Sequence, residues 1–263
     1  MARSRQSGEC FEYSITKFII TNFKPKFYDD KSMLKFIKWE KDYVYKRPNM
    51  PIIDEFNKYT KIRLCTDKEG CSGSNADIIL CNNTDSLALS LKNNNLYIKH
   101  PRANSMQLIQ PLQSIYLDKY NILNDKYYQM AMENKYNAFS DFPKEEKTKM
   151  YFKFITLLYD FYKNSHQSCI NIFKFCLGVY DTNQIIIKQK NDIIECLKYR
   201  NIDYTSIITI ELLSYNSFYI NIAGIGLKFR IHNASSQITK NLSLKYSVDP
   251  INVDMLLFNE YTI

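Results

Sequence analysis

Apolar residues recur at helical spacing near the N-terminus. Phe11, Ile15, Phe18 and Ile19 fall on one face, which predicts an amphipathic helix over about Gly8 to Ile20. A second helix is expected after Asp30, with Leu34, Ile37 and Tyr43 inward, Lys35, Lys38 and Lys41 outward, and Pro48 ending it. The period then shortens to strand spacing. Lys61 to Cys65 reads as a short strand, and Thr66 to Asn75 as a polar loop with turn chemistry. Ala76 to Cys81 and Leu87 to Lys92 flank the turn Asn82-Asn83-Thr84-Asp85, which predicts a β-hairpin. Beyond Pro101 the pattern is mixed until Asp141 and Pro143, which mark a helix start. Phe152, Ile155, Leu158, Tyr159 and Tyr162 carry that helix to about Lys163. The last third turns to β-branched and alternating runs: Ser206 to Leu212, Phe218 to Ala223, Leu227 to Ile231 and Leu242 to Val248. No repeat and no linker composition interrupts the chain. The expectation is therefore one domain over residues 1–263, mixed α/β, with helices packed around a central sheet.

Composition changes this picture little. Hydrophobic residues at 45% and charged residues at 24% exclude a wholly disordered chain, and Gly 6 with Pro 7 excludes a collagen-like one. Lys+Arg 35 against Asp+Glu 27 gives +8, a mild bias toward a polyanionic partner. Phe154 to Leu158 is broken by Asp160 and Ile207 to Ile210 by Glu211, so no apolar run approaches the roughly 20 residues of a membrane span. The start of the chain leads into no secretory apolar region. With that, an odd cysteine count of 7 reads as reduced thiols in a cytoplasm. Cys65, Cys71 and Cys81 lack the paired spacing of zinc knuckles, and His166 with Cys169 makes only half a site.

The hairpin carries the chemistry. Side chains alternate along a strand, so Leu87, Leu89 and Leu91 share one face while Ala88, Ser90 and Lys92 share the other. A lysine inside an apolar strand is costly unless a partner holds it. Asp77, opening the facing strand, would hold it and could also bind a divalent metal. Asp on one strand and acid-x-Lys on the next is the metal-nuclease arrangement. A carboxylate-held Mg²⁺ can activate water and stabilise transition-state charge, while lysine polarises the attacking water. Here Ser90 stands where the acid is expected. Glu12, on the first helix, is the leading candidate for a further ligand, and Asp85 in the turn a weaker one. The same residues also suit a plain strand ion pair, or an Asp77 that satisfies loop amides while Lys92 snorkels outward.

The surrounding residues sharpen the reading. Thr66-Asp67 through Gly70, Gly73 and Asp77-Ile78-Ile79 resembles the HaeIII-type restriction endonuclease family. So does Leu89-Ser90-Leu91-Lys92-Asn93-Asn94-Asn95, followed by Lys99-His100-Pro101-Arg102. Gly8 to Glu12, Ser140 to Glu145, Phe229 to Ser235 and Leu242 to Tyr246 are similar to further family blocks, in the same order. In that family Ser-x-Lys replaces Glu-x-Lys, so Ser90 is a family trait. The resemblance implies a PD-(D/E)xK core, a mixed central sheet flanked by helices with additional C-terminal strands. It also implies Mg²⁺-dependent cleavage of double-stranded DNA at a short GGCC-like site, with a companion methyltransferase protecting the host. Cutting both strands is open to a monomer acting twice or to a homodimer.

Roles follow on this reading. Asp77 and Glu12 are the metal carboxylates, Lys92 the catalytic lysine, and Ser90 a hydroxyl near the metal. Asn93, Lys99, His100 and Arg102 are placed against the DNA, the cations neutralising phosphates. Arg230, His232 and Asn233 are the candidates for base readout, because Arg pairs bidentately with guanine and Asn with adenine. Two rival readings are a nuclease for structured DNA and a catalytically inactive DNA-binding module.

Overall fold

Phe11, Ile15, Phe18 and Ile19 are all at most 5% exposed, and the helix that carries them, α1 (Arg3–Phe23), extends beyond the predicted stripe at both ends. In the computed structural model, which describes residues 3–66, 76–94, 114–177, 184–190, 193–198, 202–240 and 242–251, the chain forms two compact units. The first holds α1, α2 (Asp30–Asp42) and six strands: β1 (Lys26–Phe27), β2 (Lys61–Leu64), β3 (Ile78–Cys81), β4 (Ser86–Asn93), β5 (Gln184–Lys190) and β6 (Ile193–Lys198). They line up in chain order as one mixed sheet. β2, β3 and β4 are antiparallel neighbours, whereas β5 returns parallel to β4. One face of this sheet is apolar. Ile78, Leu80, Leu87, Leu89 and Ile187, each at most 1% exposed, bury themselves with the α1 stripe. Each such side chain is worth roughly 1.5–3 kcal/mol of transfer free energy.

Helix α2 is rotated from its expected phase. Leu34 and Ile37 are exposed at 62% and 39%, and Ser32, Phe36 and Trp39 point inward. The cause is local. Asp29 caps the helix by accepting the Ser32 N–H at 2.7 Å, and Ser32 Oγ accepts the Leu64 N–H at 2.9 Å. Ser32 is thereby fixed against β2, and the residues four and seven positions on must share its face. The cap also holds the Asp29 carboxyl below its ordinary pKa, chiefly through the Ser32 backbone N–H. The helix ends at Asp42, before Pro48, where the Tyr43 N–H closes on Trp39 O at 2.8 Å.

The second unit contains α3 (Ser114–Glu133), α4 (Lys144–Lys163) and α5 (His166–Leu177). Its sheet is the antiparallel meander β7 (Ile208–Ser214), β8 (Ser217–Ile222), β9 (Ile225–Asn233) and β10 (Leu244–Ile251). β8 and β9 join through Ala223 and Gly224 at φ 54° and 82°, the left-handed pair that a tight hairpin demands. Phe218 and Phe229 stack across that hairpin at 5.0 Å, and Tyr162 of α4 packs on Phe218 at 6.0 Å, so α4 covers the apolar face. Asp141 does not start α4, contrary to expectation. Its carboxylate accepts the Asn137 and Ala138 N–H groups at 2.9 Å each and closes a 3-10 turn, Phe139–Asp141. Pro143 then precedes the helix, having no N–H to lose there. No helix among the described residues is long and apolar enough to cross a membrane.

Candidate active site

Asp77 sits one residue before β3 yet is locked at both sides. Its N–H donates to Leu89 O at 2.8 Å, and its carbonyl accepts the Cys65 N–H at 3.0 Å. Continuing the Ile78↔Leu89 register by one step sets Asp77 opposite Ser90. Asp77 Oδ2 accepts the Leu91 N–H at 2.6 Å and lies 3.9 Å from Lys92 Nζ. Oδ1 has no hydrogen bond among the described residues. The Asp77 and Lys92 side chains are 30% and 21% exposed, and Ser90 between them is 1% exposed. A partly exposed anion and cation thus stand beside a buried hydroxyl, on the sheet face opposite the Leu87, Leu89 and Leu91 side chains.

Two features of this face escaped the sequence reading. In register beside Lys92 on β5 stands Lys188, and opposite Lys188 on β6 stands Glu195. The face therefore reads acid, lysine, lysine, acid across four strands. Further down β5, Gln184 is in register with Ala88 and is 7% exposed, with its Oε1 unpaired. The missed signal was the unbroken run Ile185-Ile186-Ile187, which marks a strand buried on both faces, as parallel sheets require.

Glu12 meets Lys35 of α2 at 3.7 Å, and Lys35 Nζ donates to Cys65 O at 2.9 Å. The two helices and the Asp77 strand are therefore linked through Cys65, whose N–H also serves Asp77. Asn93 is turned to the α1 face of the sheet, where its amide donates to Ser7 O at 2.9 Å and Ser7 Oγ at 2.8 Å. Its observed task is to hold the start of α1 against the end of β4. Lys99, His100 and Arg102 lie outside the described residues.

Arg230, His232 and Asn233 belong to the second unit. Phe229 and Ile231 are fully buried, so alternation turns Arg230 and His232 to the opposite face, with Ser247 and Lys245 as cross-strand partners. His232 Nδ1 donates to Asn233 O at 3.1 Å, which leaves Nε2 of the neutral ring to accept from Ser247 Oγ at 2.6 Å. Burial, followed by the Lys245 and Arg230 charges, lowers the His232 pKa against the opposing Asn233 bond. At neutral pH the ring is uncharged, and the positive charge on this face comes from side chains such as Arg230 and Lys245. Both ends of the Asn233 amide are occupied, by Tyr151 OH at 3.2 Å and Ser235 O at 2.6 Å, so it braces the loop after β9.

The shift fixes a pH dependence. A folded pKa below the unfolded value of about 6.5 means that the unfolded chain binds the proton more tightly. The stabilisation is complete above that value and is lost as pH falls through the folded pKa. NMR titration of the ring should give a midpoint below 6.5, and the melting temperature of His232→Gln should fall less than wild type between pH 7 and 5. A midpoint above 6.5 contradicts the neutral-ring assignment.

The six described cysteines are free. Burial pushes the Cys169 and Cys196 thiols up to about 12, so neither supplies a thiolate near neutral pH. Among the described residues no three His, Cys, Asp or Glu side chains cluster as a complete metal cage. The chain matches no protein-family model, no curated protein and no solved structure.

Proposed function

We propose that the chain is a Mg²⁺-dependent, site-specific endonuclease of the restriction type, acting on double-stranded DNA. The observation that carries this reading is the hairpin geometry: Asp77 opposite Ser90 and 3.9 Å from Lys92, partly open to solvent. The order helix, three antiparallel strands, crossover and parallel fourth strand supports a restriction-endonuclease-like core.

The donor set suits Mg²⁺, a hard cation usually held by one or two carboxylates together with waters and substrate phosphates. Asp77 would hold it through the oxygen that Leu91 leaves unoccupied; Glu12, the second carboxylate that the resemblance implies, is paired with Lys35 instead. When bound it would neutralise phosphate charge and lower the pKa of a bound water. The chain's own groups do the rest. The Leu91 N–H fixes the Asp77 carboxylate in one orientation. Lys92 places a positive charge where the phosphodiester gains negative charge on attack, and its N–H groups can hold the attacking water. Ser90 supplies a buried hydroxyl that can accept or donate to that water without adding charge.

Plasmid DNA incubated with the protein and Mg²⁺ should yield discrete bands, and mapping their ends gives site and stagger together. A smear, or no cleavage under any divalent metal, overturns the reading. One observation favours a second reading. A hydroxyl in place of the usual acid suits a DNA-binding module without catalysis, for which duplex binding would persist with no cleavage.

A further inference from the structure

Where β4 ends, the α1 face of the same sheet opens into a cleft of about 380 Å³. Ser7 of α1 lines it, with Lys46, Arg47 and Asn49 from the segment after α2, and Asn93 and Gln189 from the paired ends of β4 and β5. The segment is anchored by its alternate residues. Pro48 and Met50 are buried, while Lys46, Arg47 and Asn49 are exposed, so the cations are presented from a fixed backbone. The described lining contains two cations, several amides and hydroxyls, and no carboxylate. The neighbouring carboxylate on α1, Glu9, accepts a hydrogen bond from Tyr43 OH at 2.7 Å. Phe11, the one aromatic in the lining, is 5% exposed and belongs to the core, so no ring face is offered for a base to stack on. The chemistry is that of a phosphate without its base.

The place of the cleft is equally informative. Asn93 follows Lys92 directly, and alternation points the two side chains to opposite faces. The cleft and the Asp77–Lys92 pair therefore flank one strand end. A DNA strand carries a charge about every 3.4 Å of axis, so a backbone that reaches Lys92 brings further phosphates to this strand end.

We propose that this cleft binds a backbone phosphate of the DNA strand, flanking the bond that is cut; the inference rests on the nuclease reading. Lys46 and Arg47 neutralise that phosphate, while the Asn93 amide, donating to Ser7 O and Ser7 Oγ, holds the α1 wall of the cleft in place. The contact fixes register and carries no base specificity.

The test is duplex binding by fluorescence anisotropy, with Ca²⁺ in place of Mg²⁺, across a series of salt concentrations. Replacing both cations (Lys46→Ala with Arg47→Ala) should weaken binding about 10-fold or more at low salt. It should also reduce the slope of log affinity against log salt by about 1–2. Both side chains are exposed, so the melting temperature should not move; if it does, Lys46→Ala alone should still reduce the slope by about 1. Wild-type affinity and slope in a variant of a protein that cuts DNA overturn the cleft assignment and leave the nuclease reading intact. A wild-type protein that neither binds nor cuts duplex overturns both. Saturable binding of deoxyadenosine monophosphate, abolished by the double variant while duplex binding is unchanged, would make the cleft a nucleotide pocket and overturn the proposal.

Discussion

Lys92→Ala is expected to lower the cleavage rate by about 10²–10³-fold, the usual loss when one preorganised charge-stabilising donor is removed. Duplex binding should stay within severalfold of wild type, because a single cation contributes little to a contact spread over many phosphates. The fold should tolerate the change. Nζ lies 3.9 Å from Asp77 Oδ2 with both side chains partly exposed, and pairs of this kind contribute about 0–1 kcal/mol. Asp77 also keeps its bond from the Leu91 N–H. Lys92→Arg should recover little activity, since a planar guanidinium fork cannot put its charge where a compact ammonium stood. Initial rates on plasmid DNA, paired with anisotropy on a short duplex, check this. Cleavage within tenfold of wild type in Lys92→Ala would remove the lysine from its role.

Two substitutions at Asp77 separate charge from architecture. Asp77→Asn keeps an oxygen to accept the Leu91 N–H and removes the negative charge. It should abolish detectable cleavage and leave the melting temperature close to wild type. Asp77→Ala removes the acceptor as well. The Leu91 N–H then loses its partner on a strand whose neighbours are buried, at about 1–3 kcal/mol. The alanine variant should therefore be inactive and also melt several degrees lower. Equal melting in the two variants would mean that the 2.6 Å bond contributes nothing to the fold. Cleavage by Asp77→Asn would mean that the carboxylate charge is not required.

The Asp77, Ser90 and Lys92 constellation was legible because a hairpin is local. Turn chemistry at Asn82 to Asp85 and alternation along Leu87 to Lys92 fix which side chains share a face without knowledge of the rest of the fold. The apolar stripe of α1 was legible for the same reason. The phase of α2 was not, because Ser32 is held by the Leu64 N–H, 32 positions away, and that bond decides which side turns inward. Asp141 misled because a carboxylate before proline is an ordinary helix start, yet here its carboxylate turns back to two preceding N–H groups, those of Asn137 and Ala138. Lys188 and Glu195 joined the face only through pairing with strands far along the chain. The register that puts Lys188 beside Lys92 spans 96 positions, and no short-range pattern encodes it.

That same parallel pairing also orders the protein's assembly in time. Between β4 and β5 the chain makes α3, α4 and α5, so the β3–β4 hairpin leaves the ribosome long before the strand that flanks it. Closing so long a loop is slow even though its entropic cost grows only logarithmically with length. Until β5 docks, β4 is an open edge of apolar residues, the state in which strands aggregate or pair wrongly. Synthesis at about 5–20 residues per second holds the nascent chain in that state for several seconds. The residues that would cut DNA are thus made early, but the sheet that holds them in register is completed late.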